Sequence, residues 1–492
     1  MKTPILGQTY VARSVNAAAS RMVNLFPEFV PDGGKEPAFL MRAPGLTLKV
    51  TFGAGGPIQA LHALGNWLYV VAHGTLYKVD KNNSGSQIGV LTVDNLGPVS
   101  IADNGQSLFI ACGSTAWVYN TVTSVLSQIT TSGFPGASTV TFMDGYFVYN
   151  VAGTVDVYST DYFPATGYDA AMVGAALATS DNVVAVKADH DEIWVFKERS
   201  TQVWYNQGGT GFPFSVIQGS TNEIGCAAAF SVTKLDNTLF WLGRDINGQG
   251  IVYRANGYAG ERVSTHAVEW HIQSYSTISD AIGYGYQQDG HTFYVLTFPS
   301  GNATWVYDVS TGMWHERGNF SAGVFGRHLG NCHAFFNGLN YVGDYQNGNL
   351  YVLDSTVYQD NGAIQKWLRS WRALPTDQDD LSRAFRKNLG IPGVDFKRTA
   401  HHSLQLDCES GVGLSDGTSP QVMLRWSDDG GHTWSQEHWA SMGAVGNYGQ
   451  RVIWRRLGMT RKIRDRVYEV SGTDAVKIAI IGAELQLSGT DA

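Results

Sequence analysis

The chain has 492 residues, of which 43% are hydrophobic and only 15% are charged, and its formal net charge is −8. A charged fraction so far below the usual ~25%, together with 57 glycines, favours many short strands joined by tight turns. The charge is uneven, because residues 1–356 carry 17 basic and 26 acidic residues, whereas residues 357–492 carry 17 and 16. The acidic larger part repels polyanions, which disfavours a domain that reads DNA sequence.

Cysteine usage and hydropathy limit the cellular setting of the chain. The N-terminus lacks the apolar run of roughly 7–15 residues that marks a signal peptide, and no stretch approaches the ~18 apolar residues of a membrane-spanning helix. We therefore expect synthesis in a reducing cytosol and no membrane insertion. The cysteines are too far apart for a CxxC pair, which disfavours a disulfide framework and a zinc site; they are Cys112, Cys226, Cys332 and Cys408.

The first 49 residues differ in composition from the rest of the chain. Prolines are spread through them, which disfavours a helix or a central strand. Hydrophobic residues between them need to be buried, so we predict an extended N-terminal arm that lies against the body or against a neighbouring subunit. The residues that support this prediction are Pro4, Pro27, Pro31, Pro37, Pro44, Leu25, Phe26, Phe29, Val30 and Phe39.

Seven segments between residues 50 and 356 share one plan. Each begins with a polar turn, enters a strand rich in aromatic and β-branched residues, and continues to a second strand centred on a tyrosine. The turns are Gly65-Asn66, Asn104-Gly105, Asp144-Gly145, Asp189-His190-Asp191, Asp236-Asn237, Asp289-Gly290 and Asn337-Gly338. The tyrosines, which lie 39 to 54 residues apart, are Tyr77, Tyr119, Tyr158, Tyr205, Tyr253, Tyr307 and Tyr351.

This repeat is typical of a β-propeller. Asn-Gly and Asp-Gly before an alternating strand are strong hairpin signals, and known propeller blades have ~40–50 residues. One blade cannot bury both of its faces, whereas blades packed around an axis bury each other. We predict an all-β chain with a six- or seven-bladed propeller over residues 50–356. A series of β-sandwich domains is the alternative, because sandwiches also contain regular hairpins.

Residues 357–492 are predicted to form a separate C-terminal β domain. Residues 378–389 carry its best amphipathic helix pattern. After a predicted strand, the sequence SDDGGHTW matches the Asp-box pattern S-x-D-x-G-x-T-W, in which polar side chains bind the turn backbone and the indole packs beneath it. We interpret this motif as a structural hairpin turn and not as a catalytic site. Its residues are Ser427, Asp429, Gly431, Thr433 and Trp434.

A basic stretch follows at residues 451–466 and contains only one acidic residue. It could be a solvated hairpin with salt bridges to Asp428, Asp429 or Glu437. It could instead contact DNA phosphates or an acidic neighbouring ring. Its basic residues are Arg451, Arg455, Arg456, Arg461, Lys462, Arg464 and Arg466.

Recognisable catalytic motifs are absent from the sequence. We find no G-x-S-x-G elbow, phosphate loop, HExxH or EF-hand pattern, and we predict no metal or other cofactor. A sialidase-like glycosidase is the strongest enzymatic alternative, because such enzymes combine propellers with Asp boxes. It would need an arginine cluster, yet arginines are scarce between residues 50 and 320, and Glu223, Glu261 and Glu316 have no evident partner. We therefore predict that the chain is not an enzyme.

Both ends of the chain resemble a known family. Asn24–Glu28 with Ala43–Leu46 resembles the opening of the tail accessory proteins of short-tailed bacteriophages, which are also called packaged-DNA stabilisation proteins. The C-terminal likeness covers 411–413, 426–434, 454–458 and 464–469. The resemblance follows most of the chain in order, but the middle matches in architecture more than in sequence.

This resemblance implies a structural role in the virion. Members of the family are tail hubs, or nozzles, of six copies that lie below the portal and its adaptor ring. They extend the channel for double-stranded DNA, retain the packaged genome and receive the tail needle, fibres or spikes. We therefore expect a homohexamer in the virion tail, assembled in the host cytoplasm. A receptor- or glycan-binding tail protein is the alternative.

Overall fold

The computed structural model describes residues 1–31, 33–53, 55–164, 166–374, 398–414, 416–460 and 466–489. Within these ranges the chain is almost entirely β-structure. The α-helix of this part spans His266–Gln273, and a 3₁₀ turn spans Ala229–Ser231. No helix in the described ranges is long and apolar enough to cross a membrane. The predicted helix over residues 378–389 lies outside them.

Seven small antiparallel sheets follow one another as the blades of a propeller. Blade 1 consists of Ile58–Leu64, Trp67–Ala72, Thr75–Val79 and Gly85–Val90, and blade 2 of Ser100–Asp103, Ser107–Ala111, Ala116–Asn120 and Val125–Gln128. Blade 3 consists of Val140–Met143, Tyr146–Asn150, Asp156–Ser159 and Val173–Ala175, and blade 4 of Val183–Asp189, Glu192–Lys197, Thr201–Asn206 and Phe214–Val216. Blade 5 consists of Gly225–Cys226 and Thr233–Leu235, which both pair with Thr238–Arg244, then Gln249–Asn256 and Ala259–Arg262.

The last two blades complete the ring. Blade 6 consists of Ile282–Gln288, His291–Phe298, Ala303–Asp308 and Met313–Arg317, and blade 7 of Gly330–Phe336, Leu339–Asp344, Asn349–Asp354 and Gly45–Thr51. The remaining short strands are Asn319–Ser321 with Val324–Gly326, and Gln359–Asp360 with Ala363–Ile364.

The predicted repeat coincides with these blades. Each predicted turn joins the first two strands of a blade, and each tyrosine lies in the third strand. Asp144 and Gly145 both have positive φ, 49° and 89°, as a two-residue hairpin turn requires. The prediction of a propeller is therefore confirmed, with seven blades, and a series of sandwich domains does not describe this part of the chain.

The propeller is closed by a strand from the other end of the sequence. Gly45–Thr51 pairs antiparallel with Asn349–Asp354 and forms the outermost strand of blade 7. Blade 7 also contacts blade 1 through their innermost strands, Gly330–Phe336 and Ile58–Leu64. Ring closure removes the open sheet edges that would otherwise be free to pair with other chains.

Aromatic residues fill the wedges between blades. Phe109 of blade 2 packs against Phe147 of blade 3 with ring centroids 5.5 Å apart, and Phe240 of blade 5 stacks on Tyr294 of blade 6 at 5.4 Å. All four side chains are buried. Such rings bury a large apolar area, which explains why the second strand of each repeat is rich in aromatic residues.

The second body is a β-sandwich with one large core. One of its sheets contains, in spatial order, Leu25–Phe29, Ala38–Arg42, Ala479–Gly489, Thr399–Cys408 and Val452–Met459. The other contains Tyr10–Val11, Ala19–Val23, Trp367–Arg372, Val467–Gly472, Gln421–Ser427 and His438–Ser441.

The N-terminal residues therefore do not form a separate extended arm over 1–49. Residues 1–42 supply strands and core side chains to the sandwich, and residues 45–51 close the propeller. The reason is hydrophobic burial, because Leu25 and Leu40 lie in the sandwich core, whereas Phe26 packs on blade 6. Of the hydrophobic residues that suggested a docked arm, Leu25 and Phe26 are buried by the rest of their own chain, Val30 and Phe39 are half-buried, and Phe29 is exposed.

The two bodies share a seam of hydrogen bonds and ion pairs. Ala19–Val23 pairs in parallel with the outermost strand of blade 6, and the Arg21 guanidinium donates to the Glu316 carboxylate at 2.8 Å. Arg42 is buried and donates to the backbone carbonyls of Tyr358 and Val476 at 3.1 and 2.8 Å. The seam thus joins residues that are far apart in the sequence.

Ring closure by Gly45–Thr51 can be tested with two leucines of that strand. Leu46 is 1% exposed and Leu48 is 39% exposed. We expect Leu46→Ala to lower the free energy of unfolding by about 2–5 kcal/mol, because it leaves a cavity between blades, and Leu48→Ala to lower it by about 0.5 kcal/mol. Urea denaturation of both variants is the measurement. Equal losses would contradict closure by this strand.

The buried carboxyl of Asp360, in the short strand Gln359–Asp360 next to this seam, predicts that stability depends on pH. Burial raises the pKa of Asp360 to about 7. Since the unfolded carboxyl ionises near its ordinary value of 3.8, stability should fall as the pH rises from about 4 to 7 and then level off. Asp360→Asn should remove this part of the slope, whereas Asp236→Asn in an exposed turn should not. Unfolding midpoints measured from pH 4 to 8 would contradict the prediction if both variants kept the wild-type slope.

Candidate interaction site on the C-terminal sandwich

The Asp-box turn is organised around two side chains. The Ser427 hydroxyl donates to Asp429 Oδ1 at 2.7 Å and accepts the Gly431 N–H at 2.8 Å. Asp429 accepts the backbone N–H groups of His432 and Thr433, both at 2.9 Å, and the Thr433 hydroxyl at 2.5 Å. These hydrogen bonds hold the pKa of Asp429 well below its ordinary value. The carboxylate is thus fully engaged by its own turn.

The same turn packs against the N-terminal segment and the strand that precedes it. Gly431 has a φ of +108°, and a Cβ at this position would lie 2.9 Å from the Val15 side chain, so the close approach requires glycine. The Arg425 guanidinium lies over the Trp434 ring, and its Cζ is 4.8 Å from the ring centroid. Every consensus residue therefore serves the hairpin, which leaves the motif no free group for chemistry.

The basic residues of 451–466 have different environments. Arg466 is buried, and its guanidinium donates to both carboxylate oxygens of Asp428 at 2.7 and 2.8 Å and to the Leu457 carbonyl at 2.7 Å. It is a structural residue and not part of a contact surface, because a bidentate buried pair leaves no donor facing solvent. Arg461, Lys462 and Arg464 lie outside the described residues.

The three remaining arginines are exposed on one edge of the sandwich. Arg451 donates to the Gln405 side-chain carbonyl at 3.0 Å. Arg456 has a φ of +60° and forms a bulge in Val452–Met459, so it and Arg455 both face outward in spite of the strand alternation. Within the described ranges, no ion pair holds Arg455 or Arg456.

Large apolar side chains are also exposed on this edge of the sandwich. Val452–Met459 is the edge strand of one sheet and His438–Ser441 is the edge strand of the other; the Trp454 indole links them by donating to the His438 carbonyl at 2.8 Å. We call these two strands and residues 442–451 between them the sandwich edge. Its exposed side chains are Trp439 at 59%, Val445 at 68%, Tyr448 at 77% and Met459 at 45%.

Sequence reasoning missed this apolar component of the edge. The only available signal was the high density of aromatic residues around the glycine-rich stretch 441–449, and exposure cannot be read from composition. The Asp box and the arginines, by contrast, form local patterns that are visible in sequence.

The propeller contains two notable cavities. Its central channel holds a cavity of about 210 Å³ lined by the innermost strands, and a wider mouth of about 460 Å³ includes Asp94, Asp280 and Arg327. In the described part of the chain, no three His, Cys, Asp or Glu side chains are grouped so that they could hold a metal ion. Glu261 is paired with Arg254 at 3.0 Å and Glu316 with Arg21, so two of the three candidate glycosidase acids are engaged.

These features define a class of protein: a seven-bladed propeller joined to a sandwich, with an exposed patch of arginine and aromatic side chains. Comparison with protein families identifies the class more closely. The family described as "Bacteriophage P22 Gp10, beta-propeller" matches residues 1–358, and "Bacteriophage P22 Gp10, beta-sandwich" matches residues 393–488. The chain belongs to the bacteriophage P22 Gp10 family, and it is a structural protein of the phage tail.

No curated protein matches the chain. Solved structures of similar topology include virginiamycin B lyase from Staphylococcus aureus, at 10% identity and a TM-score of 0.43 over 64% of this chain and 99% of that one. PorZ of Porphyromonas gingivalis is 16% identical, with a TM-score of 0.37 over 80% of this chain and 46% of that one. Likenesses this weak contribute nothing to the assignment.

The contrast between buried and exposed arginines is testable by unfolding. Arg466→Ala should destabilise the protein by about 3 kcal/mol, because it removes a buried guanidinium and leaves the half-buried Asp428 carboxylate without its partner. Arg451→Ala removes the same side chain from an exposed position and should change stability by about 0.5 kcal/mol at most. Chemical denaturation gives both values. A loss of stability as small as that of Arg451→Ala would contradict the structural role of Arg466.

Proposed function

We propose that this protein forms the hub, or nozzle, of a short phage tail. In this role a ring of about six copies extends the portal channel, retains the packaged DNA, anchors distal tail parts and lets DNA pass on ejection. The observation that carries the proposal is the family match, which begins at residue 1 and includes both the propeller and the sandwich. Its partners would be further copies of itself, the portal and adaptor ring above, and a needle, fibre or spike below.

The charge distribution favours weak contact with DNA over tight binding. Residues 1–356 carry 26 acidic and 17 basic residues. Phosphate binding strengthens with each cation that replaces a counterion, and such binding would slow ejection. In the proposed hub, an acidic excess on the channel wall would let double-stranded DNA slide past without specific contacts.

The fold suits a mechanical role and not an enzymatic one. The propeller is closed by strand pairing, and the sandwich is connected to it through the buried Arg42 and the Arg21–Glu316 pair. The side chains of the Asp box, the conspicuous polar motif, form hydrogen bonds within their own turn. Load can therefore pass between the two bodies without a flexible linker, while the surfaces contact neighbouring proteins.

A receptor- or glycan-binding tail protein is the second candidate. Exposed aromatic rings are what a sugar-binding site needs, and Trp439 and Tyr448 provide them. In that case Trp439→Ala would abolish adsorption of phage to the host while leaving the number of copies per particle unchanged. In a hub, the same variant would change assembly instead.

The hub proposal is tested by removing the chain and by locating it. Phage grown without this protein should produce heads that package DNA and then release it, so that the genome becomes sensitive to added nuclease. Electron cryomicroscopy of complete virions, with a labelled antibody against the chain, should place a ring between portal and distal tail. Infectious, DNA-filled particles without the protein, or label only on peripheral fibres, would contradict the proposal.

A further inference from the structure

The sandwich edge has the composition of a protein–protein contact. Arginine, tryptophan, tyrosine and methionine are enriched where interfaces bury most of their energy, and these are the residue types that the edge exposes. The apolar members, such as Val445 and Met459, would gain nothing from a phosphate backbone, so DNA does not account for them. The edge strand itself is blunted by the bulge at Arg456, which favours recognition through side chains over strand addition.

A surface of opposite charge lies on the propeller. We call it the acidic face: the ends of blades 3 to 5 where the first and third turns of each blade lie. It is continuous, because the Asn206 amide donates to Asp144 at 3.2 Å and the Tyr258 hydroxyl donates to Glu192 at 2.6 Å. The nearby Lys234 is already paired with Asp189 at 2.8 Å. The exposed or half-exposed residues of the acidic face are Asp144, Asp161, Tyr162, Asp191, Glu192, Tyr205 and Tyr258.

The two surfaces lie on different parts of one molecule. The sandwich is attached to the propeller at the outermost strands of blades 6 and 7, through Ala19–Val23 and Gly45–Thr51. The acidic face is centred on blade 4, which lies two blades from blade 6 and three blades from blade 7 around the ring. Two complementary surfaces at separate places on one subunit form a head-to-tail contact between copies, which closes into a ring when repeated with a suitable rotation.

We propose that the sandwich edge of one copy docks on the acidic face of the next copy of this chain. Arg455 and Arg456 would pair with carboxylates such as Asp161 and Asp191, since a guanidinium binds a carboxylate through two hydrogen bonds. Trp439 and Tyr448 would pack against Tyr162, which is 64% exposed, and its neighbours. This contact rests on the proposed hub ring and assigns its subunit interface.

Charge reversal on each surface tests the contact. The edge variant is Arg455→Glu with Arg456→Glu, and the face variant is Asp161→Lys with Asp191→Lys. Each should reduce incorporation of the chain into particles by at least about tenfold, measured by quantitative immunoblot of purified virions and by infectious yield, because like charges then meet across the interface. A chain with all four substitutions restores opposite charges and should recover incorporation to within about threefold of the original.

The matched control is Lys81→Glu with Arg199→Glu. It makes the same change in net charge as the edge variant, at two exposed positions outside both surfaces, and should be incorporated like the original chain. Thermal unfolding midpoints equal to that of the original chain verify that every variant is folded. Normal incorporation of either charge-reversed variant, or failure of the fourfold variant to recover, would overturn the assigned interface.

The same experiment separates this interface from the hub proposal. If the unmodified chain forms a ring in virions and the charge-reversed variants form it equally well, the hub stands and the interface is wrong. If the unmodified chain forms no ring, both are wrong. Loss in each charge-reversed variant with recovery in the fourfold variant supports both.

Discussion

The architecture depends on one constraint, namely that the first 51 residues belong to both bodies. They cross the sandwich as Ala19–Val23, Leu25–Phe29 and Ala38–Arg42, and then leave it to close blade 7 as Gly45–Thr51. Arg42 lies at the crossing point, buried and bonded to backbone carbonyls from the segments after blade 7 and before the last sandwich strand. Neither body is complete without this segment, so the propeller and the sandwich must fold in a coordinated way.

The polar groups of the sandwich divide into an inner and an outer set. The inner set, which includes Asp429, Asp428 and Arg466, is saturated by hydrogen bonds within the domain. The buried Arg466 must be paired in this way, because an unpaired charge in the interior is costly. The outer set, with Arg455 and Arg456, has no ion-pair partner in the described ranges. This division is what distinguishes a structural motif from a contact surface in a stretch of uniform composition.

The uneven distribution of charge along the chain is consistent with the proposed contact between copies. In the proposed ring, the acidic propeller of one subunit would meet the arginine-rich sandwich edge of the next, and this asymmetry would orient neighbouring subunits and disfavour wrong pairings. Under the same proposal, an acidic excess elsewhere on the propeller would keep DNA from adhering to the assembly.

The sequence by itself determined the hairpin repeat, the all-β class, the Asp-box turn and the family, because these are recorded in patterns of neighbouring residues such as Asp144-Gly145. Only the tertiary structure decided the blade count, since the fourth strand of blade 7 comes from the other end of the chain. It also decided that residues 1–49 are shared between the two bodies, that Arg466 is buried, and that Trp439 and Tyr448 are exposed. Those properties arise from contacts between residues hundreds of positions apart, and no local pattern records which partner covers a side chain.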